Sequence, residues 1–130
     1  DDAVVAIHDG VRPFVNTRML SEGFALASEK GNAVAAVQVK SSMRQRTATG
    51  SQAIDRQEFY HVQTPQIFNL SEIIDCYNRR PAKEFSDDAS LAEHFGTNIQ
   101  LFQGSYDNLK ITTPEDLFVA ERILDNGNWE

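Results

Sequence analysis

Apolar residues come in short blocks whose spacing switches between that of a buried strand and that of a helix. Ala3-Val4-Val5-Ala6-Ile7-His8 is a continuous β-branched run, the pattern of a strand covered on both faces in a parallel sheet. Asp9-Gly10-Val11-Arg12-Pro13 interrupts it as a loop. Asn16 or Thr17 is placed to cap a helix to about Lys30, with Leu20, Phe24 and Ala27 on one face and Gly31 closing it. Residues 33–39 form a second apolar run. Strand, helix and strand with short connections predict a βαβ unit, and hence an α/β fold.

From Lys40 to Asp55 the pattern changes, because Met43 and Ile54 are its large apolar residues. Thr47-Ala48-Thr49-Gly50-Ser51 reads as a turn, so the segment predicts a polar hairpin arm over residues 40–58 with little core of its own. Phe59-Tyr60-His61-Val62-Gln63 predicts a strand halted by Thr64-Pro65. Residues 70–79 predict a helix that buries Ile73, Ile74 and Tyr77 and stops before Pro81. Ser86 or Asp87 caps the next helix, which buries Ala89, Leu91, Ala92 and Phe95 and ends at Gly96. Residues 99–102 and 108–112 read as strands. Thr113-Pro114-Glu115-Asp116 is a helix start with a cap, a proline and two acids, and that helix turns Leu117, Ala120, Ile123 and Leu124 inward.

Composition narrows the function. The 130 residues are 41% hydrophobic and carry a net charge of -7, which suits one globular domain. Residues 1–65 hold seven acids and seven bases, so the acidic excess lies wholly in the second half. An acidic chain lacks the basic face that nucleic-acid binding needs. No apolar run approaches a membrane span, and no basic leader opens the chain, so no membrane or secretory role is expected. The single cysteine, Cys76, is expected as a buried thiol in a reducing cytoplasm.

Three clusters fall at predicted strand ends, where open α/β sheets hold ligands. In the first, Asp9 and Arg12 stand three residues apart, a spacing that serves either a turn-stabilising ion pair or a site for a metal, hydroxyl or phosphate. The second is Thr64-Pro65-Gln66, either a strand-to-helix turn or a placed hydroxyl. The third puts Lys110 inside an apolar stretch, where an ammonium faces water or pairs with an anion. The arm supplies a fourth feature. Lys40, Arg44, Arg46 and Arg56 against Asp55 give a local charge of +3, which reads as a solvated hairpin or a basic finger for a phosphate.

In this order, four pieces resemble the 2-C-methyl-D-erythritol 4-phosphate cytidylyltransferases. They are His8-Asp9-Gly10-Val11-Arg12-Pro13, residues 62–68 (Val-Gln-Thr-Pro-Gln-Ile-Phe), Ser86-Asp87-Asp88-Ala89-Ser90 and residues 107–117. Each is weak alone, whereas their order and spacing are specific. The resemblance implies a Rossmann-like nucleotidyltransferase fold with a protruding β-arm. It implies a reaction of CTP with methylerythritol phosphate that gives a CDP-linked product and pyrophosphate, with Mg2+ on the triphosphate. By the same resemblance Lys110 and Arg56 position the substrate phosphate. Asp9 lies beside substrate and metal-bound triphosphate, Arg12 and Ser42 line the polyol-phosphate pocket, and Thr64 hydrogen-bonds the substrate. The arm would cross to a second subunit of a homodimer, so that Ser42 and Arg56 serve the neighbour's site. Ser41-Ser42 departs from the Asp-Thr common in the family.

The family's glycine-rich CTP loop has no counterpart here, since no two of the seven glycines are separated by one residue. The expectation is therefore a chain corresponding to the C-terminal part of one cytidylyltransferase domain, inactive alone. Two alternatives stand beside it. One is the ribitol-5-phosphate cytidylyltransferases, of the same fold, against which Asp88-Ala89-Ser90 leans toward the methylerythritol enzymes. The other is a non-catalytic polyol-phosphate-binding or dimerisation module.

Overall fold

The computed structural model describes residues 3–129. Its main sheet has four strands in the order β1-β5-β2-β6. The strands are β1 (Val4–Ile7), β2 (Asn32–Gln38), β5 (Tyr60–Asn69) and β6 (Leu101–Gln103). Helix α1 (Thr17–Lys30) carries the chain from β1 to β2. Those two strands run the same way, but β5 lies between them, antiparallel to both. The predicted βαβ unit is thus present with a later strand inserted. β1 is half-buried along its length, not fully covered as expected, and is an edge strand of the sheet among the described residues. β2 is buried from Asn32 to Val37 and pairs with β6 in parallel.

Alternation along β2 divides the core into two layers. Ala33 and Ala35 join Met19, Ala27, Ile67 and Phe102 beneath α1. Val34 faces the other way and joins Phe68, Ile73, Cys76, Leu91 and Ala92 beneath α2 (Leu70–Asn78) and α3 (Asp88–His94). Burying a large apolar side chain is worth about 1.5 to 3 kcal/mol, so the small alanines matter chiefly by letting both helix layers approach.

Local chemistry sets the helix ends. The Asn16 side chain caps α1 by accepting from the Met19 amide, and Gly31 ends it with a positive φ of 90°. Asp87 caps α3 in a capping box with Ser90, and Thr113 does the same with Asp116 for α4 (Pro114–Asn126).

Several expectations are corrected. The buried stripe of α1 is Met19, Gly23 and Ala27, with Leu20 36% exposed, because Gly23 lets Ile67 and Phe102 close onto the helix. In α2 the buried pair is Ile73 and Cys76, while Ile74 and Tyr77 are exposed. In α4 only Ala120 is buried, and Leu117 and Leu124 face out. Strand β5 does not halt at Thr64-Pro65. It passes through a cis Thr64–Pro65 bond and an irregularity in its pairing opposite Val34–Ala36. Residues 108–112 form no strand; they are a loop held by a backbone bond from the Ile111 amide to the Val11 carbonyl and by side chains.

The arm is as expected. Among the described residues, β3 (Met43–Thr47) and β4 (Gly50–Ile54) pair only with each other, and their middle residues are exposed. A short 3-10 turn over Arg56–Glu58 returns the chain to β5. Its base is fastened by Lys40, whose Nζ sits 3.7 Å above the Tyr106 ring, and by the Tyr106 hydroxyl donating to the Gln38 carbonyl at 2.8 Å.

Candidate functional site

The carboxyl end of β1, the middle of β5 and the loop after β6 meet at one point. Asp9 sits there, the residue after His8 at the end of β1. Its Oδ2 accepts from Arg12 Nε at 3.0 Å and lies 3.4 Å from Lys110 Nζ. Its amide donates to Thr64 Oγ1 at 3.0 Å. Four of the six sequence-predicted site residues, Asp9, Arg12, Thr64 and Lys110, thereby line one cavity of about 550 Å³. His8, Gln63, Gln66, Arg80, Ser86, Asp87 and Asp88 complete its polar lining.

The other two predicted residues are not in this cavity. Ser42 is exposed at the start of the arm. Arg56 lies at the end of the arm, with its guanidinium donating to the Lys40 carbonyl at 2.5 Å. Both belong to the arm's own structure and lend nothing to the Asp9 cavity of the same chain among the described residues.

Burial pushes the Asp9 carboxyl up, but the Arg12 hydrogen bond and the Lys110 charge outweigh it and hold it below the usual carboxylate range. It is therefore an anion at neutral pH, and the site presents one carboxylate between two cations. Arg12 is itself committed: its second nitrogen donates to the Asn108 carbonyl at 2.7 Å. The Lys110 side chain is 48% exposed, and its ammonium is the more available donor for an incoming anion.

The loop that carries Lys110 is positioned by side-chain amides. Gln63, buried in β5, donates to the Ser105 carbonyl at 2.8 Å and accepts from the Ser105 amide at 3.3 Å, as a strand neighbour would. Asn108 is fully buried and donates to the Thr64 carbonyl at 2.8 Å and to Gln63 Oε1 at 3.2 Å. Gly104 permits this approach, because a Cβ there would collide with Gln63 Oε1. Across the cavity, Gln66 links β5 to α3 by donating to Asp87 at 3.0 Å and accepting from the Ala89 amide at 2.9 Å. Gln63, Gln66 and Asn108 had no assigned part in the sequence reading. Their signal was polarity inside otherwise apolar runs, which identifies a buried amide only once the partner is known.

Asp9 alone offers a single carboxylate, so a metal ion there would need ligands from a bound substrate. No group of three His, Cys, Asp or Glu side chains suited to a metal occurs among the described residues, and the Asp9 carboxylate already faces two cations.

Comparison with known proteins places the chain in a family. The family profile described as IspD, 2-C-methyl-D-erythritol 4-phosphate cytidylyltransferase, matches residues 1–126. A relative of that name from Clostridium novyi is 38% identical over 130 residues, covering 97% of this chain and 56% of the relative. One from Rhodopirellula baltica is 43% identical over 127 residues, covering 98% of this chain and 52% of the relative. The crystal structure of the Thermus thermophilus protein of that name superposes with a TM-score of 0.83 at 32% identity, over 94% of this chain and 62% of that one. A 4-diphosphocytidyl-2C-methyl-D-erythritol synthase from Anaerococcus prevotii gives a TM-score of 0.86 at 27% identity, over 94% of this chain and 56% of that one. The chain spans about half the length of the curated relatives it matches. A family model that matches nearly the whole chain shows that it belongs to the 2-C-methyl-D-erythritol 4-phosphate cytidylyltransferase family.

Proposed function

We propose that the protein carrying this chain transfers a cytidylyl group from CTP to 2-C-methyl-D-erythritol 4-phosphate in isoprenoid biosynthesis. An oxygen of the substrate phosphate attacks the α-phosphorus of CTP. The bond from that phosphorus to the bridging oxygen breaks, and pyrophosphate leaves. The observation that carries the reading is the convergence of Asp9, Arg12, Thr64 and Lys110 on one cavity in a chain of this family. Lys110 supplies a cation to the attacking phosphate, Asp9 and Thr64 meet the polyol, and Arg12 holds Asp9 in place.

The arm completes the proposal. A two-stranded hairpin with exposed faces gains little stability alone, so we assign it to a homodimer in which Ser42 and Arg56 reach the neighbouring site. Magnesium, in this reading, arrives with CTP as part of the substrate. The buried, unpaired Cys76 supports a cytoplasmic setting. No helix among the described residues is long and apolar enough to cross a membrane.

The test is pyrophosphate release by the full-length protein with CTP and methylerythritol phosphate, run beside ribitol 5-phosphate. Turnover with the first and not the second is expected. Preference for ribitol 5-phosphate would move the assignment to that activity. The 130 residues alone are expected to be silent, and to regain turnover when mixed with the N-terminal half of a relative.

A further inference from the structure

His8 bridges the loop that carries Arg12 and strand β5, and its hydrogen bonds have only one consistent direction in the neutral ring. Nε2 lies 2.8 Å from the Arg12 carbonyl oxygen, which can only accept. Nε2 therefore carries the ring proton, and Nδ1 is left with a lone pair. Nδ1 lies 3.0 Å from Thr64 Oγ1. The Thr64 hydroxyl must therefore donate to His8, and its one proton is used. The same oxygen accepts from the Asp9 amide.

What Thr64 shows the cavity is then a lone pair and no proton. An incoming phosphate oxygen would meet it lone pair to lone pair, whereas a substrate hydroxyl would find an acceptor. The Asp9 carboxylate beside it has the same polarity. The donors gather at the Asp9 carboxylate, on Lys110 and on the part of the Arg12 guanidinium left over from Asp9 and Asn108.

We propose that His8 is a specificity-determining positioning residue: by fixing Thr64 as an acceptor, it makes the Asp9–Thr64 wall read a polyol hydroxyl and directs the phosphate to Lys110. The inference rests on the functional reading above and adds an orientation to it. It also implies that a polyol phosphate lacking the hydroxyl next to Thr64 is discriminated against, because the second lone pair of this half-buried oxygen then has no donor.

Two measurements on the full-length protein test it. In the first, ring 15N–1H correlation spectra are recorded at about pH 8, where a free imidazole is neutral. The His8 signal, assigned by its loss in His8→Asn, is expected in the Nε2–H form. An Nδ1–H ring overturns the proposal. In the second, singly deoxygenated analogues of methylerythritol phosphate are compared on wild type, Thr64→Val and His8→Leu, which has no acceptor for the Thr64 proton. One analogue is expected to lose roughly tenfold in kcat/KM on wild type, and to show no such deficit on either variant. A penalty of equal size for every analogue on every variant overturns the specificity role. Absence of turnover by wild type with any polyol phosphate overturns the functional reading, and the specificity role with it. The ring spectrum from the same sample separates that failure from a wrong tautomer.

Discussion

Asp87 shows how much one carboxylate can hold in this chain. It caps α3 through the Ser90 amide at 2.8 Å, takes the Ser90 hydroxyl, receives Gln66 from β5 and lines the cavity. Burial pushes its pKa up, but the hydrogen bonds from Ser90 and Gln66 more than reverse this and leave it lowered. A depressed carboxylate stabilises the fold above its unfolded pKa, near about 3.9, and that contribution is lost as pH falls through the lower folded value. Urea denaturation of wild type between about pH 7 and 3 should show stability falling at the acid end. Asp87→Asn should be less stable at neutral pH by about 1 kcal/mol and flatter toward acid. An unchanged acid slope would show that Asp87 is not the linked group. Lys110 supports a prediction about activity. Lys110→Ala should lower kcat/KM in the full-length protein by roughly a hundredfold or more, with Lys110→Arg recovering part of it, since in the proposed reaction the loss is of a charge beside the attacking phosphate. Wild-type rates in both would remove Lys110 from the site.

Among the elements, α1 depends on a glycine that propensity alone would count against it. A Cβ at Gly23 would lie 2.7 Å from Ile67 Cδ1 and 2.9 Å from the Phe102 ring, inside the layer where Ile67 is wholly buried. Gly23→Ala would raise helix propensity by about 1 kcal/mol, but the overpacking should win and leave the protein about 1 to 2 kcal/mol less stable. A gain in midpoint on thermal or urea melting would refute the contact. The loop after β6 supports a companion prediction. Asn108→Ala removes the bonds to Thr64 and Gln63 and should impair turnover through a displaced Lys110, while Gln63→Glu should also weaken the fold by replacing the amide that donates to the Ser105 carbonyl. Activity in Asn108→Ala equal to wild type would show that Lys110 is held by other means.

These same elements show what the sequence makes legible. Helices α1, α3 and α4 could be read because Asn16, Asp87, Thr113 and Gly31 act locally, on amides and carbonyls within a turn. Burial was less legible, because it depends on what covers a face: Ile74, Tyr77, Leu117 and Leu124 are at helical spacing but exposed. The third site cluster was found through Lys110, an ammonium in an apolar stretch, yet its segment was misread as a strand. Its backbone is held by Gln63 and Asn108 side chains whose bonds span 42 and 44 residues, a non-local arrangement that period-two patterning imitates. Position along the chain could be read for Asp9 and Thr64, but their shared hydrogen bond spans 55 residues and emerges only from the fold.

At the scale of the whole molecule, the residues sort into two places. Asp9, Arg12, Thr64 and Lys110 share a cavity, while Ser42 and Arg56 stand on the arm outside it. If both sets serve one reaction, a twofold dimer must bring Arg56 of each subunit to the Lys110 of the other. Mixing then has a quantitative signature. Arg56→Ala and Lys110→Ala subunits, each nearly inactive alone, are unfolded together and refolded in equal amounts. A mixed dimer contains one site with Lys110 and Arg56 both intact and one site lacking both. Random assortment makes half the dimers mixed, so recovered turnover should approach about a quarter of the wild-type value. Linking the two variants in one polypeptide should raise this toward about one half, since every dimer is then mixed. If Arg56 instead serves its own subunit, every site in every mixture lacks one cation, and refolding at any ratio yields no activity beyond that of the two variants alone.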